Sequence, residues 1–435
     1  MNVRRQPLLN TASVGIAVVL AVLAAGCDDG GSAPGSPPAT GFSNDLTFAA
    51  PPSGADPARG RAVFGIAADG VSGDSSQALF TGFSAEAGQM ITSNGRTCFS
   101  CHRPGANFML NPLLPLDEHL AADDPVIDPN AVLADSAGNP DAPQLLNDFG
   151  LVLIRPHRFD RPPSDPYFQA FAWRKVPTNF NTALQHGFLF DLRTADLQHT
   201  DLGAAMAHTQ DINLNHDDMI PAQAMADLSA FQMTLFTDPT LRSLAVGPSD
   251  PGFAELAADP YATVPVQTDQ EARGERVFDR SCFPCHDLPN VFGNRAHRIS
   301  GSEVPVGTGF NIGVAEANLL NLDFRDFDPQ TGTKHVVVLP LTASDGSTVE
   351  MPVTTDPGLG LITGRLDDLA KFKVPQLRNL RFGAPYFHDC SAADLPAVIN
   401  FLNSAAYNQS PDGQRYPISL NDQERADLLA FLLLL

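Results

Sequence analysis

Lysine is nearly missing from this chain of 435 residues: only four occur, and Lys plus Arg number 27 against 49 Asp plus Glu, a formal net charge of −22. Such a surface repels polyanions, which argues against nucleic acid or an anionic lipid surface as partner and suits a basic protein partner. Cysteine is also scarce. Of the six, Cys98, Cys101, Cys282 and Cys285 share two identical spacings, Cys27 lies near the N-terminus and Cys390 stands alone, so no pairs remain for a disulfide framework. The sustained apolar run Val14–Ala25 is too short and too cleanly terminated for an ordinary membrane span.

That run follows Arg4 and Arg5 and ends in Leu23-Ala24-Ala25-Gly26-Cys27, the layout of an export signal over residues 1–26. The small residues before Cys27 resemble a bacterial lipobox, so Cys27 is the expected lipid-bearing N-terminus and that lipid the only membrane attachment. A plainly cleaved signal is the alternative. Residues 27–55 begin with a Gly, Ser and Pro tether. The expected location is the periplasm or cell envelope.

Arg96–Pro104 reads RTCFSCHRP, and Cys282-Phe-Pro-Cys285-His286 repeats its core 184 positions later. A structural zinc site would bring two close pairs within about 15–20 residues. A thioredoxin-like pair would need a βαβ setting, whereas the segments before both motifs look helical. Covalent haem attachment accounts for every residue: two thiols meet the vinyl groups of one porphyrin edge, and His102 or His286 reaches the iron as proximal ligand. Two haem c groups are the expected cofactors.

The chain also repeats around the motifs. Gly60-Arg61-Ala62-Val63-Phe64 precedes the first and Gly274-Glu275-Arg276-Val277-Phe278 the second. At one offset of 198, Lys175-Val176-Pro177 matches Lys373-Val374-Pro375, Phe190-Asp191 matches His388-Asp389, and Ala195-Asp196-Leu197 matches Ala393-Asp394-Leu395. Each half closes with a periodic helix, at Ala226–Phe231 and Ala426–Phe431. The predicted fold is mainly α, with two tandem cytochrome-c-like domains at 56–248 and 270–435, a linker at 249–269 and long loops. A small β-hairpin insertion is predicted where Val336–Leu339 and Thr348–Met351 flank an Asp345-Gly346 turn.

Two such domains with KFKVPQLRNLRFGAPYFHD near the end resemble the bacterial di-haem cytochrome c peroxidase superfamily, which includes the di-haem enzymes that mature methylamine dehydrogenase. The resemblance implies that one haem, commonly the N-terminal one, meets hydrogen peroxide or another small oxidant, while the other relays an electron. A small donor protein, a cytochrome c or cupredoxin, would restore both. Carried over by position, it puts Phe190 where a tryptophan usually lies between the haems, Arg193 in the distal pocket, Thr200 at a distal glutamine and Gln210 at the distal glutamate. An amide cannot serve as that base. His208 either takes over the role or is an ordinary hydrogen-bonded histidine.

In the second half the usual sixth ligand position is Leu402, matched by Ala204 in the first, and neither can ligate. His297, His335 and Tyr407 are the other candidates. His388 is read as structural, bonded to backbone or a haem propionate near the domain interface, with a ligand or proton-transfer role as the alternative. Cys390 replaces a glycine suited to positive φ, which suggests an altered turn and a buried inert thiol. The resemblance suggests calcium between the domains, but the family's asparagine position falls on Lys175, which argues against it. The reading is thus a peroxide-reducing di-haem enzyme. Its alternatives are a di-haem oxygenase or substrate oxidase, favoured by the missing glutamate, and a non-catalytic electron carrier, favoured if internal ligands fill both irons.

Overall fold

In the computed structural model, two helix pairs carry the architecture. The structure describes residues 46, 48–70, 72–74, 82–84, 89–91, 97–110, 112, 142–154, 156, 170–207, 220–294, 309–327 and 334–435. The expectations for Cys27 and the export signal, for His208, Gln210 and His297 lie outside these residues.

Helix α1 (Pro57–Phe64) starts at an Asp56 cap with proline in its first turn, where a missing N–H costs nothing. It packs on α3 (Ala222–Gln232), and α2 (Leu197–Ala207) leans on the same helix. In the second half α4 (Asp269–Ser281) packs on α6 (Asp422–Leu432), with α5 (Leu395–Leu402) beside it. Both α4 and α6 begin with capping boxes, Thr268 with Glu271 and Asn421 with Glu424, each satisfying N–H groups that the first helical turn leaves unpaired.

The crossings are made the same way twice. A Cβ on Gly60 would lie 1.8 Å from the Asp227 carbonyl oxygen, and one on Gly274 would lie 2.0 Å from that of Asp427. Only glycine permits such an approach. Arg59 Nε donates to Asp227 Oδ2 at 2.7 Å and Arg273 Nε to Asp427 Oδ2 at 2.8 Å. Rings of Phe64 and Phe231, and of Phe278 and Phe431, sit 5.3 Å apart in both pairs.

The repeats meet in a four-stranded antiparallel sheet that the sequence did not reveal. Its order is β1 (Leu151–Ile154), β2 (Ala170–Lys175), β3 (Arg325–Phe327), β4 (Lys334–His335). Every residue of β2 is buried, and Trp173 packs there with Leu151, Leu153 and Phe171. Strands β5 (Val337–Thr342) and β6 (Thr348–Val353) pair antiparallel, Val337 opposite Val353 and Thr342 opposite Thr348. Val337, Leu339 and Leu341 face inward and alternate with exposed residues, the period of a half-buried strand.

Backbone hydrogen bonds cross between the repeats in matched positions. Lys175 N donates to His388 O at 2.7 Å, and Lys373 N donates to Phe190 O at 2.7 Å. Asn181 and Asn379 adopt left-handed φ of 57° and 58° at equivalent points. The chain from Phe42 to Leu435 packs as one compact unit.

Candidate functional site

Each CxxCH segment closes into one tight turn. His102 N donates to Cys98 O at 2.9 Å and His286 N to Cys282 O at 3.0 Å, which gathers two thiols and an imidazole at one wall. None of these cysteines forms a disulfide. Burial raises the pKa of all three affected thiols, Cys98 furthest, with Cys282 and Cys285 pushed up to about 12.

The two imidazoles are oriented alike. Nδ1 of His102 lies 2.9 Å from Phe108 O and Nδ1 of His286 lies 2.7 Å from Phe292 O. A carbonyl only accepts, so Nδ1 carries the proton and Nε2 the lone pair. Burial pushes both imidazoles down to about 4, which keeps that lone pair available at neutral pH. Phe108 and Phe292 reach these positions with φ of 51° and 58°, uncommon for a bulky residue and found in both repeats.

A single cavity of about 610 Å³ is lined by both motifs, including all four thiols and both histidines. Its remaining wall is mostly apolar, with Leu197, Ala204, Leu395, Val398 and Leu402 among its members. Arg378 also lines it and is only 9% exposed. Among the described residues its Nε and Nη1 find no hydrogen-bond partner, and burial lowers its pKa. A buried guanidinium of this kind calls for an anion. Paired thiols, an imidazole lone pair, an apolar chamber and an unsatisfied cation together fit a porphyrin with carboxylate side chains.

A short aromatic group lines the same cavity. His388 stacks on Phe372 with ring centres 3.7 Å apart, and Phe190 lies 6.3 Å from His388. All three line the cavity. Phe190 therefore stands at the cavity wall, and His388 is buried against the Phe372 ring.

The other candidates are placed as follows. Arg193 lines the cavity, its Nη1 donating to Asp191 Oδ2 at 2.6 Å. Thr200 lines it too, with Oγ1 donating to Asp196 O at 2.9 Å and 2.6 Å from Thr194 Oγ1. Tyr407 lines the second half, but its hydroxyl donates to Tyr416 O at 2.8 Å. His335 is exposed on β4. Cys390 is buried and keeps a left-handed φ of 57°. The expected alteration of that turn is thus corrected: cysteine itself adopts the glycine-like conformation.

The calcium expectation can be tested directly. Lys175 Nζ donates to the carbonyl oxygens of Gly383 and Pro385 and lies 5.6 Å from the Tyr386 ring centre. An ammonium already serves those carbonyls, so the residues present do not fit a calcium ion there.

Four features escaped the sequence reading. Arg174 is 2% exposed and links the repeats, Nη1 to Asp191 Oδ2 at 2.5 Å and Nε to Asp356 Oδ2 at 2.6 Å. Lys373 faces the cavity with Nζ bonded to Gln185 Oε1, its pKa pushed down by burial to about 7. Arg378 is the third. Asp201, on α2, is the fourth, and its signal was available: the residue 198 positions on is Ile399, so a carboxylate occupies an apolar site.

No protein-family model matches the chain. Among curated proteins it is 26% identical over 213 residues to cytochrome-c peroxidase IdrP1 of Denitromonas iodatirespirans, covering 48% of each. It is 28% identical over 167 residues to cytochrome-c peroxidase IdrP2 of the same organism, covering 38% of this chain and 39% of that one. It is 37% identical over 62 residues to the methylamine utilization protein MauG of Methylorubrum extorquens, covering 14% and 18%. The aligned part spans about half or less of each relative. A solved MauG-like protein associated with microbial copper homeostasis aligns at 23% identity and a TM-score of 0.37, over 60% of this chain and 72% of that one.

Proposed function

We propose that this chain, which belongs with the di-haem cytochrome c peroxidases and MauG, is a di-haem redox enzyme that reduces hydrogen peroxide with electrons from a small redox protein. The observation that carries the reading is the shared cavity, which brings two CxxCH motifs and two lone-pair-bearing imidazoles to one apolar chamber. Two haem domains, 56–248 and 270–435, would each contribute one motif.

Haem bound there would supply the iron at which the O–O bond is reduced. Cys98 with Cys101, and Cys282 with Cys285, would hold two porphyrins by thioether bonds, with His102 and His286 as axial ligands. Arg378 would pair with a haem carboxylate, giving its unpaired Nε and Nη1 a charge-assisted hydrogen-bond partner. Apolar residues around both sites would exclude water and so weaken the screening of charges there. Phe190, His388 and Phe372 would contribute ring packing to the chamber that holds the cofactors. An acidic surface would attract a basic donor protein, and export with lipid attachment at Cys27 would hold the enzyme at the envelope.

Distal residues are assigned more narrowly. Arg193 is engaged with Asp191, so its part is to orient that wall, while His208 and Gln210 are proposed for the distal pocket from position alone. A second reading, an oxygen-using substrate oxidase, is favoured by Ala204 and Leu402, which line the cavity at positions where a ligand would otherwise stand. Stopped-flow absorption separates the two. Half-reduced protein mixed with one equivalent of peroxide should lose its ferrous bands within seconds; no reaction with peroxide, but bleaching on exposure of reduced protein to oxygen, would favour the oxidase.

A further inference from the structure

At one buried place the two repeats differ in kind. In the first, Asp201 is 6% exposed and lines the cavity from α2. Its Oδ2 accepts a hydrogen bond from Ser229 Oγ and its Oδ1 accepts one from Gln232 Nε2, both at 2.6 Å and both from α3. Gln232 Oε1 accepts in turn from Asn179 Nδ2. The Asn179 side chain lines the same cavity as the His102 imidazole.

The repeat offsets carry these four residues onto apolar ones. At 198, Asp201 and Asn179 fall on Ile399 and Leu377; at 200, which matches Asp227 to Asp427, Ser229 and Gln232 fall on Leu429 and Leu432. All four pack in the second repeat's hydrophobic core. One backbone plan thus holds a connected polar network beside the first CxxCH and none at the same place beside the second. A buried polar network is costly unless it is fully satisfied, and the second repeat shows that the fold stands without it.

Among the described residues, Asp201 has no cationic partner. From α3 it meets the uncharged Ser229 and Gln232; Asp196, at the start of its own helix, opposes its ionisation, and Cys98 of the first motif lies within its field. Burial is the larger influence and pushes the carboxyl up to about 7. A group so placed can exchange a proton in the neutral range.

We propose that Asp201 is the proton-exchanging group of the first CxxCH site, so that one-electron reduction there draws one proton onto its carboxylate, while the second site is reduced without one. The inference rests on the di-haem reading. Its balance is simple: the electron comes from the donor protein, the proton from solvent, the carboxylate becomes a carboxylic acid, and oxidation reverses both. An added electron makes the site more negative, and a nearby proton offsets that charge. The apolar counterpart at Ile399 offers no such group. Reducing peroxide to water consumes two protons for two electrons, so the first site is equipped for the chemistry and the second for relay.

The test is a spectroelectrochemical titration of the purified holoprotein between about pH 5 and 9, a range that spans the carboxyl's neutral titration. One of two one-electron waves should shift above about pH 7 by a tenfold change in its reduction equilibrium per pH unit, or about 59 mV. The other wave should stay flat. Asp201→Asn should abolish the slope of the moving wave and leave the other unchanged. Infrared difference spectra of the unmodified protein give an independent reading should the variant fail to fold: reduction should create a carboxylic C=O band that shifts in heavy water. Two haem waves with neither pH-dependent, a slope that survives Asp201→Asn, or no carboxylic band on reduction would overturn the inference while sparing the di-haem reading. Absence of covalent haem would overturn both.

Discussion

Replacing Arg174 by methionine should show how strongly the two repeats are tied. The Arg174 guanidinium is 2% exposed and bridges Asp191 and Asp356, with Nη2 adding a bond to Asp356 Oδ1 at 2.8 Å. Methionine removes the cation. Asp191 keeps Arg193, but Asp356 is left with the Gly358 N–H at 2.9 Å and the field of His388. Breaking a buried pair in this way costs about 3–5 kcal/mol, a large share of the roughly 5–15 kcal/mol that holds a typical domain.

The sign of the pH dependence follows from the same geometry. In the native protein Arg174 holds the Asp356 carboxyl below its ordinary value, so its stabilisation is present above about pH 4 and is lost as pH falls through the native value. In the variant, burial prevails and the carboxyl rises, so stability declines as pH climbs above about 4. Urea unfolding at about pH 5 and 8 should therefore give a larger loss at the higher pH. A loss under about 1 kcal/mol, equal at both, would refute the claim that this ion cluster is buried and coupled.

Other consequences are open to simpler checks. Gly274→Ala would drive a methyl to within 2.0 Å of Asp427 O, and should lower the denaturation midpoint by the equivalent of about 1–3 kcal/mol; unchanged stability would mean α4 and α6 cross less closely. Lys175→Met leaves the Gly383 and Pro385 carbonyls without their donor and should cost about 1–3 kcal/mol, while a divalent-cation chelator should leave the melting of the unmodified protein untouched. The Cys390 thiol is 3% exposed and pushed up by burial to about 12, so alkylation should be slow in the native protein and fast in denaturant. Rapid native labelling would contradict its burial.

Much of the site was legible because covalent chemistry fixes spacing. CxxCH cannot be varied without losing attachment, so Cys98, Cys101, His102 and their second-half counterparts stand out in any context. The helix before each motif was also visible, since glycine at 60 and 274 precedes a phenylalanine at the same interval in both halves, but the close crossing those glycines permit was not. The four-stranded sheet was not, because β1 and β2 join β3 and β4 across more than 150 residues and short strands carry little pattern of their own. Arg174, Lys373 and Arg378 looked like ordinary charged residues; what distinguishes them is burial, which no local sequence feature records. Asp201 differed, because comparison of the repeats placed it opposite an isoleucine. Such a mismatch marks a position where one copy departs from the packing rule that the other obeys.

The central claim is that both CxxCH motifs carry haem. Intact mass and a haem-specific absorption assay on the protein, produced in an exporting host with cytochrome c maturation, should give two covalently bound haems. Replacing Cys98 and Cys101 together by serine should leave one, and replacing Cys282 and Cys285 should also leave one. A folded, exported protein with no covalent haem, or one whose haem content ignores either pair, would contradict the account.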